Sequence, residues 1–341
     1  MINGISSYGS VIDMILQTSS FTNLNTLTEA YQLQAKVEGK SPNTIRIYTT
    51  ALTILDNFLK QEGLSKDVTQ IGQQEIKRFI MHLQQTKAFR GHPFTRPQQK
   101  GLTGHTINCY LRAIRAFWSW LISEEIIEIN PFDRLRIPRP PNKVIVPFSN
   151  EQIRNLLAVI NTSSPSGFRD RTIILTLLDT GLRVTELCNL KLEDTNLNER
   201  SLKVCGKGCK ERVVPIGATV QRAIAKYVNR YRPDPIYQLQ DYLFLTRSGE
   251  CLTLNRIEKI IKRYGNTGGI DGVRCSPHTF RHTFAISYLR NGGDVFSLQR
   301  ILGHGTLDMV RTYINLTQSD LQAAHLHCSP VDNLQLKAGR K

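Results

Sequence analysis

Six side chains in the second half of the chain combine the types needed to work on an anionic ester, and each sits beside a structural signal. Arg183 ends Thr180-Gly181-Leu182-Arg183, Lys207 lies inside Gly206-Lys207-Gly208, and His278 and Arg281 share His278-Thr279-Phe280-Arg281-His282. His304 closes Leu302-Gly303-His304, and Tyr313 follows nine residues later. The chemistry such a set suits is attack on a phosphodiester. Its oxygens are anionic and resist a nucleophile, so an enzyme without a metal must hold fixed cations around phosphorus as charge builds there. Arginine can grip two phosphate oxygens at once and stays charged at any working pH, which makes Arg183 and Arg281 the expected clamps. On a helix, His278 three residues before Arg281 shares its face. Tyr313 is the candidate nucleophile; a phenol with a pKa near about 10 needs a base to take its proton as it attacks.

Taken singly, every one of these residues has a plainer reading. An arginine at a helix start is usually a surface ion pair, a tyrosine near apolar residues is usually core, and a histidine often caps or packs. The conjunction in one order is what carries the functional reading. Glu186, one turn after Arg183, either orients that arginine or holds the fold, and the structural role is favoured. His282 either packs or orients.

Several helices must position this set. Ser41-Pro42 is an N-cap followed by a first-turn proline, after which Ile45, Tyr48, Leu52, Leu55 and Leu59 recur at helical spacing as far as Gly63. A shorter helix uses Ile76, Phe79, Ile80 and Leu83, and a third runs through Ile107, Leu111, Ile114, Phe117, Trp118 and Leu121. Between them, Lys87 to Gly104 carries Pro93, Pro97 and basic side chains without apolar periodicity and reads as a basic loop. Four prolines among Arg134, Arg136, Arg139 and Lys143 then resist helix and mark a basic connection between two domains. Ser149 to Gln152 is a capping box that opens the second domain. There the expected elements are a helix from Arg169 to Thr180 stopped by Gly181 and a β-hairpin over Ser201 to Ile216. A helix over Ala218 to Tyr231 and a short strand at Tyr242 to Leu245 follow, then helices over Asn255 to Tyr264, His278 to Arg290 and Val295 to Leu302. The expected boundaries are a poorly defined arm over 1–40, a helical domain over 41–133, a linker over 134–148, a second domain over 149–316 and a tail over 317–341.

With 341 residues the chain has room for two domains, and 40% apolar residues make a folded, water-compatible composition. No apolar run reaches the roughly 18 residues that span a bilayer and no basic signal-peptide start is visible, so the cytoplasm is the expected location and no membrane partner is expected. Seven scattered cysteines fit a reducing compartment, and Cys205 with Cys209 lacks the further ligands of a zinc site, so no metal is expected. The net charge is +16, with 17 basic and 11 acidic side chains in residues 1–150 and 27 and 17 in residues 151–341. Both halves are basic, which points to one long polyanion, and nucleic acid fits that better than a small acidic metabolite.

At the four motifs named above the chain resembles the tyrosine recombinases, also called phage integrases, a family that includes the Xer recombinases. Any one motif recurs by chance; all of them in order with the tyrosine at the family spacing are specific. The resemblance implies a mainly α fold with a small antiparallel β-sheet. A helical SAM-like core-binding domain and an α+β catalytic domain would form a C-shaped clamp on double-stranded DNA. It implies that Tyr313 forms a 3'-phosphotyrosine bond with His278 as base, that Lys207 protonates the leaving 5'-oxygen, and that His304 donates a hydrogen bond to the phosphate. Neither a metal nor another cofactor is implied. Candidate DNA contacts are Arg112 and Arg115 on the third helix, Arg136, Arg139 and Lys143 in the linker, and Lys210 and Arg212 on the hairpin. Four protomers on two DNA sites, with the segment from Asp320 to Leu326 docked into a neighbour, are expected, with accessory DNA-bending proteins as further partners. The expected role is integration and excision of a mobile element, with chromosome or plasmid dimer resolution as the alternative. A catalytically idle DNA-binding protein and a type IB topoisomerase-like enzyme are competing readings. Met309-Val310-Arg311-Thr312-Tyr313-Ile314-Asn315 departs from the threonine pair and Tyr-Thr-His run of many relatives, which leaves the subfamily open.

Overall fold

The computed structural model describes residues 22–87, 101–137, 145–206, 210–236 and 241–303. Two units divide between Lys143 and Val144, inside the stretch expected to be a linker. Among the described residues the first contains the helices α1 (Leu24–Val37), α2 (Pro42–Gln61), α3 (Gln73–Gln85) and α4 (Gly104–Ser123). Ser41 caps α2 by accepting the Thr44 N–H at 3.2 Å, and Pro42 occupies the first turn, where its missing N–H costs nothing. Leu52, Leu55 and Leu59 of α2 meet Phe79 and Leu83 of α3 and Ile114, Phe117 and Trp118 of α4 in one core. Trp118 is fully buried, and Trp120 packs beside Tyr31 and Phe117, so neither indole serves as a surface platform.

Helix α1 occupies the later part of the expected arm over 1–40, whose residues 1–21 lie outside the described residues. Asn23 caps it, and Leu24, Leu27, Tyr31 and Ala35 are buried in the same core, with Tyr31 stacked on Tyr48 of α2. The Val68 N–H donates to the Thr22 carbonyl at 2.8 Å and fixes the start of α1 to the loop before α3. Residues 88–100 of the expected basic loop lie outside the described residues. Its ends are joined by an antiparallel bridge between Lys87 and Gly101.

The second unit contains α5 (Asn150–Ala158), α6 (Pro165–Thr180), α7 (Val184–Cys188), the strands β1 (Thr195–Asn196), β2 (Ser201–Cys205) and β3 (Glu211–Pro215), then α8 (Ala218–Arg230), α9 (Leu254–Thr267), α10 (Pro277–Arg290) and α11 (Val295–Leu302). Ser149 and Gln152 form the expected reciprocal capping box. Helix α6 starts four residues earlier than expected, because Ser164-Pro165 repeats the cap and first-turn signature of Ser41-Pro42. Its buried Thr172, Thr176 and Thr180 hydroxyls each donate to the carbonyl one turn back, which lets polar side chains sit in the centre of the unit. Helices α8 and α10 pack against α6. Strands β2 and β3 pair in antiparallel register from Ser201 opposite Pro215 to Cys205 opposite Glu211, burying Leu202, Val204 and Val214, and β1 adds a two-residue edge.

The strand expected at Tyr242 to Leu245 does not form. Only single bridges, Lys191 to Tyr242 and Leu245 to Cys251, flank the segment. Side chains take up its backbone instead: Arg232 donates to the carbonyls of Tyr242 and Leu243, and the Leu245 N–H donates to the Tyr227 hydroxyl. No helix among the described residues is long and apolar enough to cross a membrane.

Candidate active site

Helix α6 ends at Gly181, whose φ of +60° places it in the left-handed region, and an added Cβ would lie 2.4 Å from the Phe284 ring of α10. Only glycine meets both demands, so the Gly181 of the first motif turns the chain sharply enough to start α7 at Arg183. Arg183 is the N-cap of α7. Its backbone N–H donates to Glu186 Oε2 and its Nη1 to Glu186 Oε1, both at 2.9 Å. Nη1 also lies 3.5 Å from the Leu302 carbonyl oxygen, and the side chain is 35% exposed, which leaves donors for an incoming anion.

Arg281 approaches the same point from α10. The Ser276 cap and Pro277 start that helix so that His278 stands exposed in its first turn and Arg281 is buried one turn further in. Arg281 donates through Nη1 to the Gly181 carbonyl and through Nη2 to the Leu302 carbonyl, each at 2.7 Å. The two expected clamps therefore converge on one acceptor, at the C-terminal end of α11, where unpaired carbonyls and the helix dipole favour cations. Gly303 ends α11 at φ +62°, and the chain then runs on to His304. His282 is half-buried in α10; burial, reinforced by the charges of His278 and Arg281, pushes its imidazole below the ordinary range.

Glu186 turns out to be both of the things considered for it. Burial raises its carboxyl, but hydrogen bonds from Arg212 and from the Arg183 backbone outweigh that and hold it below the usual carboxylate range. Arg212 corrects the sequence reading. Expected as a DNA contact, it points inward with a side chain only 13% exposed, donating from Nη1 and Nη2 to the two oxygens of Glu186 at 2.9 Å each. Its Nε donates to the Ile301 carbonyl at 2.8 Å.

The other candidate DNA contacts divide simply. Arg112 and Arg115 are exposed on α4, Arg136 is exposed after it, and Lys210 is exposed immediately before β3. Arg139, Lys143, Lys207, His304 and Tyr313, with the tail over 317–341, lie outside the described residues. The sequence reading missed a further basic stripe. Arg256, Lys259, Lys262 and Arg263 are exposed on α9, interrupted by Glu258 alone among charged residues. Their spacing of three and four along a helix already recognised was the available signal.

Comparison with known proteins follows the same division of the chain. The family model for the phage integrase family matches residues 148–320, and that for the phage integrase N-terminal SAM-like domain matches residues 27–128. Tyrosine recombinase XerD of Listeria monocytogenes serotype 4b is 30% identical over 295 residues, covering 86% of this chain and 94% of that protein. Among solved structures, XerH site-specific recombinase bound to palindromic difH substrate in a post-cleavage complex aligns with a TM-score of 0.67 at 19% identity, covering 96% of this chain and 90% of that one. The Tn1549 transposon integrase in complex with transposon right end DNA aligns with a TM-score of 0.68 at 20% identity, covering 87% and 99%. The second family model begins within α1, in keeping with the burial of that helix in the first unit. With the two arginines meeting at the end of α11 and both units matched, the chain belongs to the phage integrase family and is a tyrosine recombinase of the Xer-like kind.

Proposed function

We propose that this protein cuts and rejoins double-stranded DNA at defined sites through a covalent 3'-phosphotyrosine at Tyr313. The observation that carries the reading is the meeting of Arg183 and Arg281 at the Leu302 carbonyl, two residues before His304. Two guanidinium groups fixed this closely bind two non-bridging oxygens of one phosphate and stabilise the charge that builds as phosphorus becomes five-coordinate. In the proposed step the Tyr313 oxygen bonds to phosphorus, its proton passes to His278, and the bond to the 5'-oxygen breaks. Lys207 supplies that oxygen with a proton, and His304 donates to a phosphate oxygen. One phosphodiester is exchanged for another, so a free 5'-hydroxyl reverses the step without ATP.

The exposed arginines of α4, Arg136, Arg139, Lys143, Lys210 and the basic stripe of α9 are proposed to hold the duplex by its phosphates. Four protomers would act on two sites, with the tail over 317–341 docking into a neighbour. Integration and excision of a mobile element is the proposed role. Chromosome or plasmid dimer resolution, which the resemblance to the Xer recombinases implies, is the second reading.

Sites selected from genomic fragments by binding, then placed in pairs on one plasmid, test this. Reciprocal exchange between two copies, in EDTA and without ATP, is the expected result. Relaxation of plasmids lacking the site, with no exchange, would overturn it in favour of a topoisomerase.

A further inference from the structure

The inward course of Arg212 gives it a place in the site that no DNA contact would explain. It stands on β3 opposite Val204, two residues beyond Lys210, whose carbonyl accepts the Gly206 N–H at 2.9 Å and closes the hairpin. From there its guanidinium meets two other segments. It grips both oxygens of Glu186, the carboxylate that also holds the Arg183 backbone and side chain, and it donates to Ile301 at the end of α11. Two glycines lie against it. A Cβ on Gly303 would stand 3.1 Å from Arg212 Cζ, and one on Gly206 would stand 3.5 Å from its Nη1 and 3.7 Å from Glu186 Oε1. Gly206 immediately precedes Lys207, and Gly303 immediately precedes His304.

We propose that Arg212 is a positioning residue of strand cleavage, fixing relative to one another the segments that carry Arg183, Lys207 and His304. The inference rests on the function proposed above, in which those three residues act on the phosphate. Only a planar fork with a third donor at Nε can hold a carboxylate bidentately while reaching a carbonyl on a different element; a lysine supplies the charge without the geometry. Loss of the fork leaves Glu186 bound to Arg183 alone and leaves the base of the hairpin untied from the end of α11.

The test compares Arg212→Lys with the unaltered protein on a nicked site whose scissile 5'-bridging atom is oxygen or sulfur. A thiol with a pKa near about 8.5 leaves without being protonated, so the sulfur substrate makes the contribution of Lys207 unnecessary. The expected result is site binding within about twofold of the unaltered protein, with the ratio of oxygen to sulfur cleavage lowered about tenfold or more. If Arg212→Lys does not fold, Glu186→Gln releases the same fork and is read by the same ratio. Two controls separate this inference from the reading beneath it: Lys207→Ala should show the same selective loss, and Tyr313→Phe should cleave neither substrate. Failure of either control overturns the proposed function and the inference with it. Controls that hold, with Arg212→Lys cleaving at the unaltered ratio or losing site binding instead, overturn the role of Arg212 alone.

Discussion

Glu186 accepts from four donors on two arginines at one buried carboxylate, and its ionisation is accordingly tied to the folded state. Because those hydrogen bonds hold the folded carboxyl below its ordinary pKa of 4.5, the stabilisation is complete above that value and is lost as pH falls through the lower folded value. Thermal melts of the unaltered protein and Glu186→Gln should therefore differ by a constant amount from pH 7 down to about 5, with the gap closing on further acidification. A gap that grows toward low pH would contradict the assigned direction. At this scale the sequence shows which residue types gather, but not how they divide the work. Arg183 and Arg281 were legible because their motifs are local. Arg212 was not, since its partners lie 26 and 89 residues away and its neighbour Lys210 offers the same charge.

Elements with a strong local signature were equally legible. Ser41-Pro42 and Ser149 to Gln152 announce α2 and α5, and the left-handed glycines at 181 and 303 announce where α6 and α11 stop. Gly181→Ala should cost at least about 2 kcal/mol, from left-handed strain together with the clash against Phe284, and should lower cleavage by displacing Arg183. Calorimetry and a cleavage assay on the same variant check both halves of that expectation. Helix α1 was missed for a physical reason. Its buried face is diluted by Ala30 and Ala35, which add little apolar contrast beside Gln32 and Gln34, and the burial becomes visible only when Tyr31 meets Tyr48 and Phe117. A chain beginning at Ser41 would remove Leu24, Leu27 and Tyr31 from the core, at about 2 kcal/mol for each large side chain against a total stability of about 5–15 kcal/mol. The melting transition of the first unit should weaken sharply or vanish, and one unchanged from that of the full chain would show that α1 is dispensable. The strand expected at Tyr242 to Leu245 failed for the opposite reason: its apolar run was plain, but Arg232 and Tyr227 claim the backbone groups that a ladder would use.

Across the whole molecule, charge and chemistry point to the same partner. A net charge of +16 shared by both halves supplies sequence-independent attraction to a polyanion, while the arginines that meet at the end of α11 are the proposed place for one phosphate to react. In the proposed reaction a protein–DNA bond forms at Tyr313, and trapping that bond is the decisive measurement. Protein incubated with nicked site DNA in EDTA and then denatured should retain covalently attached DNA. Mass spectrometry of the digested adduct should place the phosphate on Tyr313, and Tyr313→Phe should bind the DNA yet retain none. An adduct that persists in Tyr313→Phe, or tight site binding with no adduct in the unaltered protein, would contradict the account.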